Sequence, residues 1–226
     1  MRLPVIIVNF KAYGEATGGN AVRLAQLCDA VAREHDVSIA VAPQYHDIAP
    51  VKDAVSLQVF AQHIDPVAKA GAFTGHAVAE NLKEAGIVGT LINHSEKKMA
   101  EADIKKCIGI AKSVGIVSVC CAATPEETGS IAELAPDFIA IEPTELIGSG
   151  VSVSKAKPEV VTQSVDIVSA RNSKVTVLCG AGITNGADIS EALRLGTRGV
   201  LVASGVVKSP DPGKVLAEFA NALKLG

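Results

Sequence analysis

The amino-acid sequence predicts one closed (β/α)8 barrel spanning residues 1–226. Three observations carry that expectation. Short apolar runs rich in Val and Ile recur about eight times, beginning with Val5-Ile6-Ile7-Val8-Asn9, and a segment of helical periodicity follows each. Runs that are apolar on both faces suit parallel strands covered by helices. Eight such units joined by right-handed crossovers favour a closed barrel over an open doubly wound sheet. Finally, a chain of 226 residues with 48% hydrophobic and 20% charged residues fits a globular barrel without a linker.

Taken in order, the first strand ends at Asn9, with Lys11 two positions on. If extended geometry carries through, both side chains point to the same side at the strand's carboxyl end. The plainer alternative for Lys11 is a solvated loop residue. A helix is expected over residues 19–35, with Val22, Leu24, Ala25, Leu27, Cys28 and Val31 as its apolar stripe. Strands are then expected at 37–41, 57–61, 89–93, 116–121, 137–141, 174–178 and 199–202. Helices are expected near 47–54, 77–85, up to 114, 125–134, 158–171, 188–195 and 212–223. A long polar, Gly-rich loop precedes the helix near 77–85.

Composition excludes several classes. Net charge is -3 and aromatic residues make up 3%, with no basic run or stacking cluster, so no nucleic-acid partner is expected. No apolar stretch approaches membrane-spanning length and the amino terminus runs directly into a strand, so the expected location is cytoplasmic, without membrane association. Five cysteines lack zinc-ligand spacing, and adjacent Cys120 and Cys121 should face opposite sides of a strand. They are read as reduced, mostly buried thiols.

Chemistry concentrates at strand ends. Glu142 precedes Pro143, which biases it to extended backbone, so it should continue the strand line. Pro143 stiffens one end of the following segment, and Gly148 and Gly150 free the other. Residues 142–150 are therefore read as a catalytic base followed by a hinged lid, against the alternative of an ordinary loop with a solvated Glu. His94 sits before Ser95-Glu96-Lys97, which looks like the start of a helical turn; a helix dipole there disfavours the imidazolium. A neutral histidine could donate a hydrogen bond to a carbonyl oxygen, while the plain alternative is a helix cap. His35, His46, His63 and His76 are read as surface or loop residues. Two small-residue turns, at 179–183 and 202–206, follow the last two strands, where barrels of this class frequently bind phosphate through backbone N–H groups.

Together, Asn9-Phe10-Lys11, Ala61-Gln62, Ala72-Phe73-Thr74-Gly75, Asn93-His94-Ser95-Glu96, the segment 142–150 and Leu201-Val202-Ala203-Ser204 resemble the triosephosphate isomerases, in the short form typical of archaea. The resemblance implies a TIM barrel that interconverts dihydroxyacetone phosphate and glyceraldehyde 3-phosphate, in glycolysis and gluconeogenesis, through an enediolate and without metal or organic cofactor. It implies Glu142 as base, His94 as electrophile, Lys11 as cationic stabiliser and Asn9 as positioning amide; pairing a glutamate base with a neutral histidine is already the standard chemistry of that family. Substrate contacts are implied at Asn9, Phe10 and Lys11, with backbone contacts to phosphate at Ile147, Gly148, Gly182, Ala203 and Ser204. The loop from Gln62 to Gly75 would reach into a neighbouring subunit to form a dimer, and the short form implies a tetramer.

Two departures stand out. The family's Tyr-Gly-Gly-Ser after the seventh strand is here Cys179-Gly180-Ala181-Gly182, which removes the hydroxyls that latch the closed lid. The family's acidic residue after Phe-Thr-Gly is here His76. Two rivals stay open: a barrel isomerase or synthase acting on a larger sugar phosphate, and a non-catalytic phosphate-binding barrel.

Overall fold

Eight strands of four to six residues lie side by side, all parallel: β1 Val5–Asn9, β2 Ser38–Ala42, β3 Gln58–Ala61, β4 Gly89–Ile92, β5 Val117–Ala122, β6 Phe138–Ile141, β7 Thr176–Cys179 and β8 Gly199–Val202. Neighbours in sequence are neighbours in space, and β8 pairs with β1 (Ile6 opposite Val200), which closes the barrel. The architecture comes from a computed structural model that describes residues 1–148 and 150–225. Ser149, inside the expected lid, lies outside the described residues.

The outer ring is built from α1 Gly19–His35, α2 Ile48–Ala54, α3 Ala79–Glu84, α4 Glu101–Val114, α5 Pro125–Glu133, α6 Val153–Ala156, α7 Pro158–Arg171, α8 Gly186–Arg194, α9 Ser204–Val207 and α10 Pro212–Leu225. Strand alternation sorts the apolar residues into two layers. Val5, Ile7, Phe60, Leu91, Val119, Phe138, Leu178 and Leu201 fill the barrel interior. Ile6, Val8, Ile39, Val59, Ile92, Ile139 and Val200 face outward and pack with the helices. Cys120 and Cys121 divide between these layers as the alternation requires, and all five thiols are free and buried.

Most strands begin one or two residues later than the apolar runs suggest, and the helix ends account for part of this. Asp36 and Gly115 adopt left-handed backbone at the ends of α1 and α4, and the next residues, Val37 and Ile116, donate their N–H groups back to Ala32 and Ala111. These Schellman-type bonds assign the apolar residue to the helix terminus rather than to the strand ladder. The short turns α6 and α9 have no counterpart in the sequence reading, because four residues are too few to reveal a helical period. Among the described residues, no helix is long and apolar enough to cross a membrane.

Candidate active site

The same alternation that builds the interior layer sets the chemistry at its carboxyl end. Asn9 follows Val5 and Ile7, and Glu142 follows Phe138 and Ala140, so both point inward at the rim. Glu142 stays in the sheet: its N–H donates to the Ala122 carbonyl at 2.7 Å. Gly180 occupies the inward position next to it on the β7 line. A Cβ at position 180 would lie 2.4 Å from Glu142 Cγ, so the carboxylate folds over β7 only because that residue has no side chain.

Glu142 is 4% exposed, and burial raises its pKa to about 7, offset in part by a hydrogen bond from the Cys121 thiol and by the charges of Lys11 and Lys98. Its Oε2 is the only buried side-chain polar atom among the described residues with no hydrogen-bond partner. An unpaired buried acceptor is costly and marks a place where a partner is to be supplied from outside.

His94 Nε2 lies 4.0 Å from that oxygen. His94 enters the site out of step with the strand, because Asn93 turns left-handed at φ +60°. Asn93 is held there by its own side chain, which donates to the Cys121 carbonyl and to Glu127 at 2.9 Å each and accepts from the Met99 N–H at 3.0 Å. His94 caps the 3-10 turn Ser95–Lys97, and its Nδ1 accepts the Glu96 N–H at 3.2 Å. With Nδ1 an acceptor, the ring proton of the neutral imidazole sits on Nε2, facing the cleft. Burial, reinforced by the Lys11 and Lys98 cations, lowers the His94 pKa to about 4, so the ring is neutral at physiological pH.

Lys11 does not continue the strand. Its φ of +48° is left-handed, and side chains satisfy both of its backbone groups: its N–H donates to Asn9 Oδ1 and its carbonyl accepts from Gln62 Nε2, each at 2.9 Å. Asn9 and Lys11 thus share the cleft through an Asx-type turn rather than through extended alternation. Lys11 Nζ also lies 3.9 Å from the exposed carboxylate of Glu96.

One cleft brings together Asn9, Lys11, His94, Glu142, Ile147, Gly148, Gly182, Ala203 and Ser204. Phe10 is not among them. Its ring is fully buried in the outer layer with Ile6 and Val8, because it falls on the outward phase of β1. His63 lies in a loop, as expected, but it is buried and bonded through Nε2 to Asp65 at 3.0 Å. Cys121 and Gly180, both pressed against Glu142, escaped the sequence reading. Cys120 and Cys121 are expected on opposite faces of a strand, but which of them faces inward, and the height of Cys121 and Gly180 relative to Glu142, depends on packing and interstrand register. Among the described residues, no group of three or more His, Cys, Asp or Glu side chains is arranged to hold a metal ion.

The family model described as triosephosphate isomerase matches residues 4–223. The chain belongs to the triosephosphate isomerase family. It is 51% identical over 223 residues to the triosephosphate isomerase of Methanosarcina barkeri, covering 99% of this chain and 100% of the relative. The triosephosphate isomerase of Methanothermus fervidus is 50% identical over the same length and the same shares. That of Pyrobaculum calidifontis is 49% identical, with 99% and 97% covered. Against the Tyr-Gly-Gly-Ser expected from the resemblance, the serine position here is Gly182. With φ +71° and the Val151 carbonyl oxygen 1.8 Å from where a Cβ would stand, this position excludes a serine side chain.

Proposed function

We propose that this cleft interconverts dihydroxyacetone phosphate and glyceraldehyde 3-phosphate by moving one proton between adjacent carbons. Glu142 takes the proton from the carbon beside the carbonyl and returns it to the neighbour. His94 donates its Nε2–H to the carbonyl oxygen, and Lys11 and Asn9 stabilise the negative charge that develops there. Backbone N–H groups at Gly148, Gly182, Ala203 and Ser204, with Ile147 of the lid, hold the phosphate. The observation that carries this reading is the unpartnered Glu142 Oε2 facing the neutral ring's Nε2 across 4.0 Å. A base raised toward neutrality beside a donor that stays uncharged suits an enediolate intermediate, where the oxygen must be stabilised without being fully protonated.

Turnover of dihydroxyacetone phosphate, followed by a coupled assay, tests the proposal. Rapid isomerisation supports it. Activity confined to a larger sugar phosphate, or phosphate binding without turnover, would replace it with one of the two rivals.

The functional unit we propose is an oligomer, a dimer through the loop of residues 62–75 and a tetramer of two such dimers, in a cytoplasmic setting consistent with five free buried thiols. The loop's base is preformed: Asp65 and Ala77 exchange two hydrogen bonds, and the Asp65 carboxylate also takes His63 at 3.0 Å and His76 at 3.3 Å. Phe73 near its tip is 52% exposed, an apolar group suited to a partner surface. Light scattering across a dilution series tests both levels: an active monomer defeats the loop argument, and an active dimer with no larger species defeats the tetramer.

A further inference from the structure

At the lid's carboxyl arm, the Val153 N–H donates to the Ala181 carbonyl at 3.1 Å, and the Val151 carbonyl packs flat on Gly182. The arm then enters α6, from which Lys155 reaches Asp188 Oδ1 at 2.6 Å. The other oxygen, Asp188 Oδ2, accepts the Thr184 N–H at 2.9 Å, the Thr184 hydroxyl at 3.1 Å and the Asn185 N–H at 3.2 Å. One carboxylate therefore grips the lid arm with one oxygen and the phosphate loop with the other. Ser154 closes the ring: its hydroxyl pairs with Ser152 at 3.0 Å and donates to the Asp188 carbonyl at 3.3 Å.

We propose that Asp188 and Lys155 are positioning residues that fix the lid's carboxyl hinge to the phosphate loop. The inference rests on the function proposed for the cleft. Asp188 is almost fully buried; burial opposes its ionisation, but Lys155 and the Thr184 groups outweigh it and hold the carboxyl below its ordinary value. With the Asp188 carboxyl ionised, the bridge is a charge-assisted contact. Neither residue touches the reacting carbons. Their effect passes through the Gly182 amide and through the hinge about which Ile147 and Gly148 swing, both of which serve the phosphate alone. Losing the bridge should weaken phosphate capture and leave the proton-transfer groups of β1, β4 and β6 undisturbed.

Asp188 is also the N3 residue of a capping box with Asn185 at the start of α8, so replacing it would disturb folding as well. Lys155 is half-exposed and takes no part in that cap, so it is the cleaner probe. For Lys155→Met, kcat/KM on triose phosphate should fall roughly tenfold, the equivalent of one charge-assisted contact, and the Kd for phosphoglycolate should rise to match. Turnover of unphosphorylated glyceraldehyde should stay within about twofold of wild type, because nothing it uses has moved. Lys155→Arg should recover most of the loss, and Lys155→Gln should behave as the Met variant. Equal losses on both substrates would make the bridge merely structural and overturn the inference, as would unchanged kinetics or a failure of Arg to rescue. A wild-type chain inactive on triose phosphates would instead refute the function proposed for the cleft.

Discussion

Around the mouth of the barrel, the arc carrying β1, β4 and β6 presents side chains, whereas the arc of β7 and β8 presents backbone. On the first arc, Asn9, Lys11, His94 and Glu142 are each fixed by hydrogen bonds, burial or a left-handed turn that sets orientation and charge state. On the second, Gly180, Gly182, Ala203 and Gly205 leave room, and a side chain at 180, 182 or 205 would strike a neighbour within 2.4 Å. The difference suits the two jobs proposed for them. Charge that appears on oxygen only during reaction needs donors and a base with tuned pKa values. A phosphate that is already charged needs N–H groups and space. The first arc should therefore be sensitive to chemistry, and the second to volume.

That contrast yields an order of expected effects. Lys11→Met removes the cation from the chemical arc and should lower kcat by about 10³-fold or more, at the upper end for loss of one charge-stabilising group; a steady-state assay retaining a tenth of wild-type activity would show that the charge comes from elsewhere. Glu142→Asp withdraws the base by about 1 Å, which should cost on the order of 10²-fold in kcat with a small change in KM. If KM alone responded, Glu142 would belong with the binding arc.

On the backbone arc, Gly180→Ala should cost roughly tenfold to a hundredfold, because the new methyl meets Glu142 Cγ and displaces the base as a lost methylene would. Inhibitor affinity in that variant should fall much less than kcat, which separates displacement of the base from collapse of the loop. Ser204→Ala ends the series at under about threefold, since the N–H proposed to bind phosphate survives. A hundredfold loss there would place a side chain in the phosphate arc and break the contrast.

The pH dependence sharpens the same division. kcat/KM should rise with pH up to an inflection near 7, where Glu142 loses its proton, while His94 stays neutral above about 4. Stability carries the opposite sign for the base. The Glu142 pKa is raised from 4.5 to about 7, so its contribution is fully present below 4.5 and is lost as pH rises through 7. Glu142→Gln should consequently gain thermal stability relative to wild type as pH climbs through that window, a trend that paired melting curves measure directly. A constant difference in Tm across the window would mean that Glu142 titrates normally in the folded chain.

Much of this was legible in the residues. The apolar runs locate the strand ends and so place Asn9 and Glu142 at the rim, because a buried strand is a local run of apolar residues. Pro143, Gly148 and Gly150 mark the loop that follows for the same local reason. Other features depend on groups far apart in the chain. Lys11 turns left-handed with its carbonyl held by Gln62, the residue after β3, and Phe10, on the outward phase of β1, lies in the outer layer rather than in the cleft. The Nε2 proton of His94 is set by which backbone N–H its other nitrogen accepts. The need for glycine at 180 arises only when β6 and β7 take their register, and the bridge from Lys155 to Asp188 joins residues 33 positions apart. Local backbone preference determined where chemistry could stand, whereas register and packing between distant segments decided how each group is held, because they bring together partners that no local period relates.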